Sequence, residues 1–237
     1  MSAVKPWQKY LAEVFGTFTL VFVGMTSVAV AYTFTGGDGV AQAAEFFVPF
    51  GFGLALLAGL YAFGEVSGGH FNPAVSLAMF LDRRLSAGDL ITYWMAQFVG
   101  AILAALILLL AFDQDTVAGA ATVPSSDGTA FVIELVMTAI FVAVILQATR
   151  SSTYRGSALV AIPLSLVAIH FAAIPFSGSS VNPARTFGPA LVGSEWDSIW
   201  IYFLAPAAGA ILGWVVHAVV VKGDTKLNPM AETGSST

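Results

Sequence analysis

The residues whose types and spacing suggest a chemical role form two copies of Asn-Pro-Ala: Asn72, Pro73 and Ala74, then Asn182, Pro183 and Ala184. Asn is a favoured helix N-cap and Pro is favoured in the first turn, so each copy predicts the start of a helix. A helix start carries partial positive charge, and both side-chain amides are expected to be free to donate hydrogen bonds. The chemistry expected is therefore recognition of a neutral, polar molecule. A single copy would mean little, because Asn-Pro is also a common cap or turn.

The composition predicts which kind of protein must position these motifs. The chain of 237 residues is 57% hydrophobic and 10% charged, against roughly 45–50% and about 25% in soluble domains. This indicates a polytopic membrane protein without a large soluble domain. A net charge of −5 offers no basic surface for nucleic acid, and the absence of Cys excludes disulfides. No metal-ligand cluster, phosphate-binding loop or nucleophile–base set is evident, so we expect no enzyme, cofactor or metal.

Six apolar segments approach or exceed the roughly 18 residues that suggest a transmembrane helix. They are Leu11–Tyr32, Phe46–Phe63, Ile91–Phe112, Ala130–Ala148, Ser157–Ile174 and Ile199–Val221. Two shorter apolar pieces, Asn72–Leu81 and Asn182–Val192, begin at the Asn-Pro-Ala copies. Because they are too short to cross a bilayer, we interpret them as re-entrant half-helices.

The basic residues predict the orientation of these spans. With six spans, all Lys and Arg residues except Arg185 fall on one side: Lys5, Lys9, Arg83, Arg84, Arg150, Arg155, Lys222 and Lys226. The positive-inside rule makes that side cytoplasmic. Both termini are therefore expected in the cytoplasm, with residues 222–237 as a short cytoplasmic tail. Arg185 breaks the pattern and directly follows the second Asn-Pro-Ala.

An internal repeat relates the two halves of the chain. Glu13 and Thr17 in the first span have the same spacing as Glu134 and Thr138 in the fourth. Each half then continues with a span, a short Asn-Pro-Ala piece and a further span. Three spans per half is an odd number, so the second repeat (residues about 130–221) must be inverted relative to the first (about 10–112). Inverted repeats place a site near the membrane midplane, where the two positive helix starts would meet and repel cations.

The sequences "SGGHFNPAV" and "VNPARTFGP" together resemble the aquaporins, which form the major intrinsic protein family, and the resemblance covers Tyr10 to Val221. It implies an all-α membrane protein with six transmembrane helices and two re-entrant half-helices in an inverted repeat. It also implies one channel domain over residues 1–237, a homotetramer with one pore per subunit and a multi-pass protein of the plasma membrane. Water and the lipid bilayer are the partners expected.

Aquaporin subfamilies differ at an aromatic/arginine constriction, and the matching positions here are Phe52, His170, Ser179 and Arg185. Ser179 takes the place whose backbone carbonyl lines the constriction. This set resembles the water-selective branch, because glycerol-conducting relatives usually have a small residue at the His position. We therefore expect a passive water channel that is driven by osmotic gradients and excludes protons and ions.

Three alternatives remain open. The first is a wider pore for glycerol or another small neutral solute. Thr186 and the Tyr202-Phe203 pair argue against it, because glycerol channels typically place Asp and a Pro-aliphatic pair there. The second is an ion-coupled secondary transporter, since inverted repeats with broken helices also occur in that class. The third is a junction or scaffold protein built on the same fold.

The remaining polar residues of the apolar segments receive structural interpretations. Glu13 and Glu134 are placed symmetrically, so we expect them to accept hydrogen bonds from backbone N–H groups of the loops before the half-helices. His70 is interpreted as a residue that lines the pore or braces its loop, with a cytoplasmic pH gate as the alternative. The sequence assigns no role to Glu65, and His217 is interpreted as an interfacial or packing residue.

Overall fold

The structure, a computed structural model, describes residues 4–35, 40–150 and 156–222. Over these residues the chain forms α-helices and no β-strand. The helices are α1 (Pro6–Thr35), α2 (Val40–Ser67), α3 (Pro73–Leu81), α4 (Ala87–Ala111), α5 (Gln114–Gly119), α6 (Asp127–Arg150), α7 (Ala158–Ser177), α8 (Pro183–Gly193) and α9 (Ile201–His217). A π-helical turn over Ala218–Lys222 extends α9.

Six of these helices, α1, α2, α4, α6, α7 and α9, are long and apolar enough to cross a membrane. This confirms the all-α class and the six spans expected from the sequence. Several spans are longer than predicted: α1 begins at Pro6, and α2 continues to Ser67. Helices α3 and α8 have 9 and 11 residues, which at about 1.5 Å per residue is far less than the roughly 30 Å bilayer core.

The structure differs from the sequence prediction between the third and fourth spans. The segment between them, for which the sequence analysis assigns no helix, contains the short helix α5. Asp113 caps it by accepting a hydrogen bond from the Thr116 backbone N–H at 2.8 Å. Among the residues used for the orientation, Arg155 and Lys226 lie outside the described residues. The tail predicted for residues 222–237 also lies outside them beyond Lys222.

The two halves of the chain pack in the same way. In the first half α1 contacts α2 and α4, and in the second half α6 contacts α7 and α9. The halves join where α2 meets α7. Each short helix also contacts the last span of the opposite half, α3 against α9 and α8 against α4. The half-helices are therefore held between the repeats, with their first residues inside the protein.

Glycines allow close helix crossings at matching places in the two halves. A Cβ on Gly100 of α4 would collide with the Val14 backbone carbonyl of α1. A Cβ on Gly209 of α9 would collide in the same way with the Leu135 carbonyl of α6. Both crossings lie one residue from the glutamates Glu13 and Glu134 in sequence, so backbone contact there sets the depth of these carboxyl groups.

We expect Gly100→Ala to lower stability by about 1–3 kcal/mol, because the added methyl group meets backbone rather than a movable side chain. The measurement is the thermal unfolding midpoint of the purified protein in detergent. Gly128→Ala is the matched control, since a Cβ there has no heavy atom within 4 Å. Equal midpoints for the two variants would contradict the assigned crossing.

Candidate functional site

Asn72 and Asn182 form the N-caps of α3 and α8. The side-chain oxygen of Asn72 accepts a hydrogen bond from the Ala74 N–H at 2.8 Å, and that of Asn182 accepts from the Ala184 N–H at 3.0 Å. Pro73 and Pro183 occupy the first turn. Each cap satisfies a backbone donor at a helix start, which is the geometry the sequence predicts for these residues.

The two caps also join the repeats to each other. The side-chain nitrogen of Asn72 donates to the Val181 carbonyl at 2.8 Å, and that of Asn182 donates to the Phe71 carbonyl at 2.9 Å. Each amide has two N–H groups. From the sequence, both amides are expected to be free. In the structure, each donates one N–H to the opposite loop, and its second N–H remains available to another acceptor.

Unusual backbone conformations aim the two accepting carbonyls. Phe71 and Val181 directly precede the Asn residues and have φ angles of 49° and 46°. This left-handed region disfavours bulky and β-branched residues, so it persists only where surrounding contacts hold it. The strained residues thus turn their carbonyls toward the Asn of the opposite repeat.

Glu13 and Glu134 supply the contacts that hold these strained loops. The carboxylate of Glu13 accepts from the backbone N–H of His70 at 3.0 Å and of Phe71 at 2.7 Å. The carboxylate of Glu134 accepts from the backbone N–H of Ser180 at 2.7 Å and of Val181 at 2.6 Å. Both side chains are fully buried, so the loops have no water to replace these acceptors.

Hydroxyl groups complete both carboxylate sites. Ser67 donates to Glu13 at 2.6 Å, and Ser177 donates to Glu134 at 2.7 Å. Among the described residues, only the first site has a further donor, since Gln97 of α4 donates to Glu13 at 2.7 Å. The sequence analysis did not single out Gln97, Ser67 or Ser177, and a polar residue on an apolar span was the available signal for Gln97.

Phe52, His170 and Arg185 lie together, although they come from α2, α7 and α8. The guanidinium carbon of Arg185 is 4.7 Å from the centre of the Phe52 ring, within the range of a cation–π contact. The rings of Phe52 and His170 have centroids 4.8 Å apart. All three side chains are at most 3% exposed, so they form one largely dehydrated group.

The hydrogen bonds of His170 and Arg185 leave polar groups unused. Nδ1 of His170 is 3.0 Å from the Leu166 carbonyl. A carbonyl only accepts, so Nδ1 donates and Nε2 of the neutral ring remains an acceptor. Among the described residues, neither Nε2 of His170 nor Nε of Arg185 has a partner. The group therefore offers an acceptor and a donor to a small polar molecule.

The segment after α5 fixes Arg185 and the start of α8. The Ala120 carbonyl accepts from Arg185 at 3.3 Å. The hydroxyls of Thr122 and Thr186 lie 2.9 Å apart, and Thr186 donates to Ser180 at 2.6 Å. Sequence reasoning missed Ala120 and Thr122, because nothing in a loop sequence shows which carbonyl or hydroxyl turns inward.

A cavity of about 530 Å³ connects these features. Its walls include the predicted residues Phe52, His70, Asn72, His170, Asn182 and Arg185. Ser179 is buried and does not line the cavity; its neighbour Ser180 does. Pro73, Ala74, Pro183 and Ala184 are buried behind the two Asn residues. Six of the predicted site residues, including both Asn residues, thus share one space.

Much of the cavity wall is apolar. Leu20, Leu56, Phe141, Ile145 and Ile162 contribute to this wall. Glu65 and His70 also line the cavity. His217 does not line it, and its Nε2 is 3.2 Å from Oε1 of Gln147. A polar molecule inside would meet hydrogen-bonding groups on one side and hydrocarbon on the other, which limits how many hydrogen bonds can hold it.

Comparisons with known proteins agree with this architecture. A sequence profile described as "Major intrinsic protein" matches residues 1–217. The "Glycerol uptake facilitator protein-like 6" of Lactiplantibacillus plantarum is 41% identical, over 86% of this chain and 94% of its own length. The "Aquaporin Z" of Brucella melitensis is 40% identical, over 88% and 95%.

A solved structure has the same fold. The aquaglyceroporin from Plasmodium falciparum superimposes with a TM-score of 0.80 at 22% identity, covering 92% of this chain and 98% of that one. At this identity the likeness concerns the fold alone.

Proposed function

Since the chain belongs to the major intrinsic protein family, we propose that it is a passive water channel driven by osmotic gradients. The observation that carries the proposal is the group of Phe52, His170 and Arg185, in which the guanidinium carbon lies 4.7 Å from the Phe52 ring centre. Three bulky side chains at one end of the cavity leave room for a small molecule. The free acceptor of His170 and the free donor of Arg185 match the two roles that one water can play.

Glycerol conduction is the second candidate, because a relative 41% identical over 86% of the chain is named a glycerol uptake facilitator-like protein. The buried imidazole of His170 argues against it here. A three-carbon molecule would need to lose its hydration in a space that His170 and Arg185 occupy. Those two residues offer too few hydrogen bonds to replace the lost water contacts.

Exclusion of protons and cations follows from charge. Arg185 places a fixed positive charge at one end of the cavity, and the N-termini of α3 and α8 add two partial positive charges near Asn72 and Asn182. The remaining amide N–H of each Asn would donate to a permeating oxygen. A water in that position accepts from the protein, so its oxygen is not available to receive a proton from the next water.

We assign the other site residues within the same proposal. Pro73, Ala74, Pro183 and Ala184 build the first turns that aim the Asn amides, and Glu13 and Glu134 hold the loops in front of them. His70 lines the pore on the side of the Asn pair away from Arg185. Ser179 belongs to the constriction through its backbone, as the resemblance implies, and Ser180 adds to the same wall.

The assembly and location are proposed on family resemblance and charge. We propose one channel domain over residues 1–237, with repeats over about 10–112 and 130–221 and a cytoplasmic tail over 222–237. We further propose a homotetramer in the plasma membrane with both termini in the cytoplasm, supported by the basic residues on that side. The mass of the solubilised channel tests the assembly.

A paired flux measurement tests the proposed function. In proteoliposomes mixed rapidly with sucrose, we expect shrinkage at least about tenfold faster than in protein-free vesicles, a barrier difference of about 1.4 kcal/mol. With glycerol as the osmolyte, re-swelling should match that of protein-free vesicles. Fast glycerol re-swelling would favour the second candidate. Flux that depends on a proton or sodium gradient would favour a coupled transporter, and no water flux from assembled protein would favour a scaffold.

A further inference from the structure

A chain of buried side chains leads from the first carboxylate site to His70. Gln97 contacts Oε2 of Glu13 at 2.7 Å and the Ser76 hydroxyl at 2.9 Å through the same nitrogen, Nε2. The Ser76 hydroxyl is in turn 3.0 Å from Nδ1 of His70. Ser76 and Gln97 have no exposed surface, and His70 is 9% exposed. No sequence motif and no part of the proposed permeation path accounts for Gln97.

The carboxylate of Glu13 determines the direction of the hydrogen bonds that Gln97 makes. Its Oε2 already accepts the Phe71 N–H at 2.7 Å, and a carboxylate oxygen acts as an acceptor. The group of Gln97 that faces this oxygen is therefore its NH₂ group. One N–H of that group points to Glu13 and the other to Ser76, so the Ser76 oxygen is an acceptor toward Gln97.

The single proton of the Ser76 hydroxyl then determines the state of His70. Among the described residues, the remaining contact of this hydroxyl is Nδ1 of His70. Ser76 therefore donates and Nδ1 accepts. A neutral imidazole carries one N–H proton, and the hydrogen bond made by one ring nitrogen determines which nitrogen is protonated. Because Nδ1 accepts, the proton is on Nε2. His70 lines the cavity, and no hydrogen bond joins its Nε2 to another described residue.

We infer that Gln97 and Ser76 are positioning residues that hold His70 as the Nε2-protonated tautomer, opposite to His170. The pore wall then presents a donor at His70 and an acceptor at His170. As a statement about permeation, the inference rests on the proposed water channel. A water next to His70 accepts a hydrogen bond from the Nε2–H group, as a water beside the two Asn residues accepts from their amides. A cation that can only donate hydrogen bonds finds no acceptor on this ring.

The second repeat shows the same direction of donation. Counting from Asn-Pro-Ala, Ser180 takes the place of His70 and Thr186 takes the place of Ser76. There the Thr186 hydroxyl donates to Ser180 at 2.6 Å. In both halves the residue inside the half-helix thus donates to the residue of the preceding loop. The matching place also shows that Thr fits where a Ser hydroxyl is needed.

Nitrogen-15 NMR of the full-length protein in lipid bilayers tests the inference. The chain has 3 His, and Asn variants of His170 and His217 assign the signals. Protonated and unprotonated ring nitrogens have widely separated shifts. At neutral pH we expect a protonated Nε2 for His70 and a protonated Nδ1 for His170. A protonated Nδ1 on His70 would overturn the inference.

Gln97→Glu provides the sharper test. The substitution is nearly isosteric, and it should reverse the direction of the hydrogen bonds between residue 97, Ser76 and His70. The introduced carboxyl oxygen has at most one proton, which must go to Glu13, so it can only accept from Ser76. Ser76 would then accept from His70, and the ring proton should move from Nε2 to Nδ1. Ser76→Thr keeps a hydroxyl and should keep the wild-type tautomer.

His170 is the internal control in the wild-type, Gln97→Glu and Ser76→Thr samples, since it makes none of the contacts between Glu13 and His70. A reversal at His70 with unchanged His170 signals supports the inference. An unchanged His70 in Gln97→Glu, in protein that still assembles, overturns it. The NMR measurement of the tautomer does not depend on water transport. A lack of water permeation would therefore refute the proposed function, whereas the NMR signals alone decide whether the assigned tautomers are correct.

Discussion

Replacing Arg185 and His170 together with Ala is expected to raise glycerol permeability at least about tenfold, which corresponds to a barrier about 1.4 kcal/mol lower. The double change removes two of the three side chains that close the cavity at this end, while Phe52 remains. It also removes the fixed positive charge, so exclusion of cations should weaken. Stopped-flow light scattering with glycerol, and pH-sensitive dye in the vesicles, measures both effects.

The control for this prediction replaces residues of the same two types that do not line the cavity. Arg150→Ala with His217→Ala changes one Arg and one His that do not line it, so glycerol exclusion should persist. If the Arg185 and His170 double variant assembles and conducts water but still excludes glycerol, these residues do not set the selectivity.

Glu134→Leu is expected to prevent stable assembly of the second loop. The change removes the acceptor for three buried donors: the Ser177 hydroxyl and the N–H groups of Ser180 and Val181. Each unsatisfied buried donor costs about 1–3 kcal/mol. Val181 would also lose the contact that holds its left-handed conformation, and Asn72 would lose a fixed acceptor. The folded yield in detergent and the water flux should both fall steeply.

Thr138→Val is the matched control on the same helix, one turn later. Thr138 is fully buried, and its hydroxyl oxygen has no hydrogen-bond partner among the described residues. Replacing it with an apolar residue of the same shape should therefore be nearly neutral. Similar yields of Glu134→Leu and wild type would show that the carboxylate does not hold the loop.

The sequence predicted the spans and the half-helices because their signals are local. A run of about 20 apolar residues must be helical in a bilayer, since no water satisfies its backbone groups. Asn72 and Asn182 cap their helices as expected because the cap involves only the next few residues. The short helix α5 was missed, because six residues at the start of a loop carry no apolar periodicity of their own.

The grouping of Phe52, His170 and Arg185 came from resemblance to a family rather than from spacing. Nothing in the sequence brings α2, α7 and α8 to one point, and their contact depends on how the repeats pack. The interpretation of Glu13 and Glu134 as acceptors for loop N–H groups matches the contacts found, because an ionisable residue in an apolar span needs buried donors.

The sequence by itself thus determined the six spans, the two half-helices, their inverted arrangement and the identity of the caps, because periodicity, length and charge act along the chain. The tertiary structure decided how the polar groups are used. Only the fold commits one N–H of each Asn to the opposite loop, turns Ala120 toward Arg185 and links Gln97 through Ser76 to His70. Hydrogen-bond direction depends on which acceptor lies opposite each donor, and residues distant in sequence supply those acceptors.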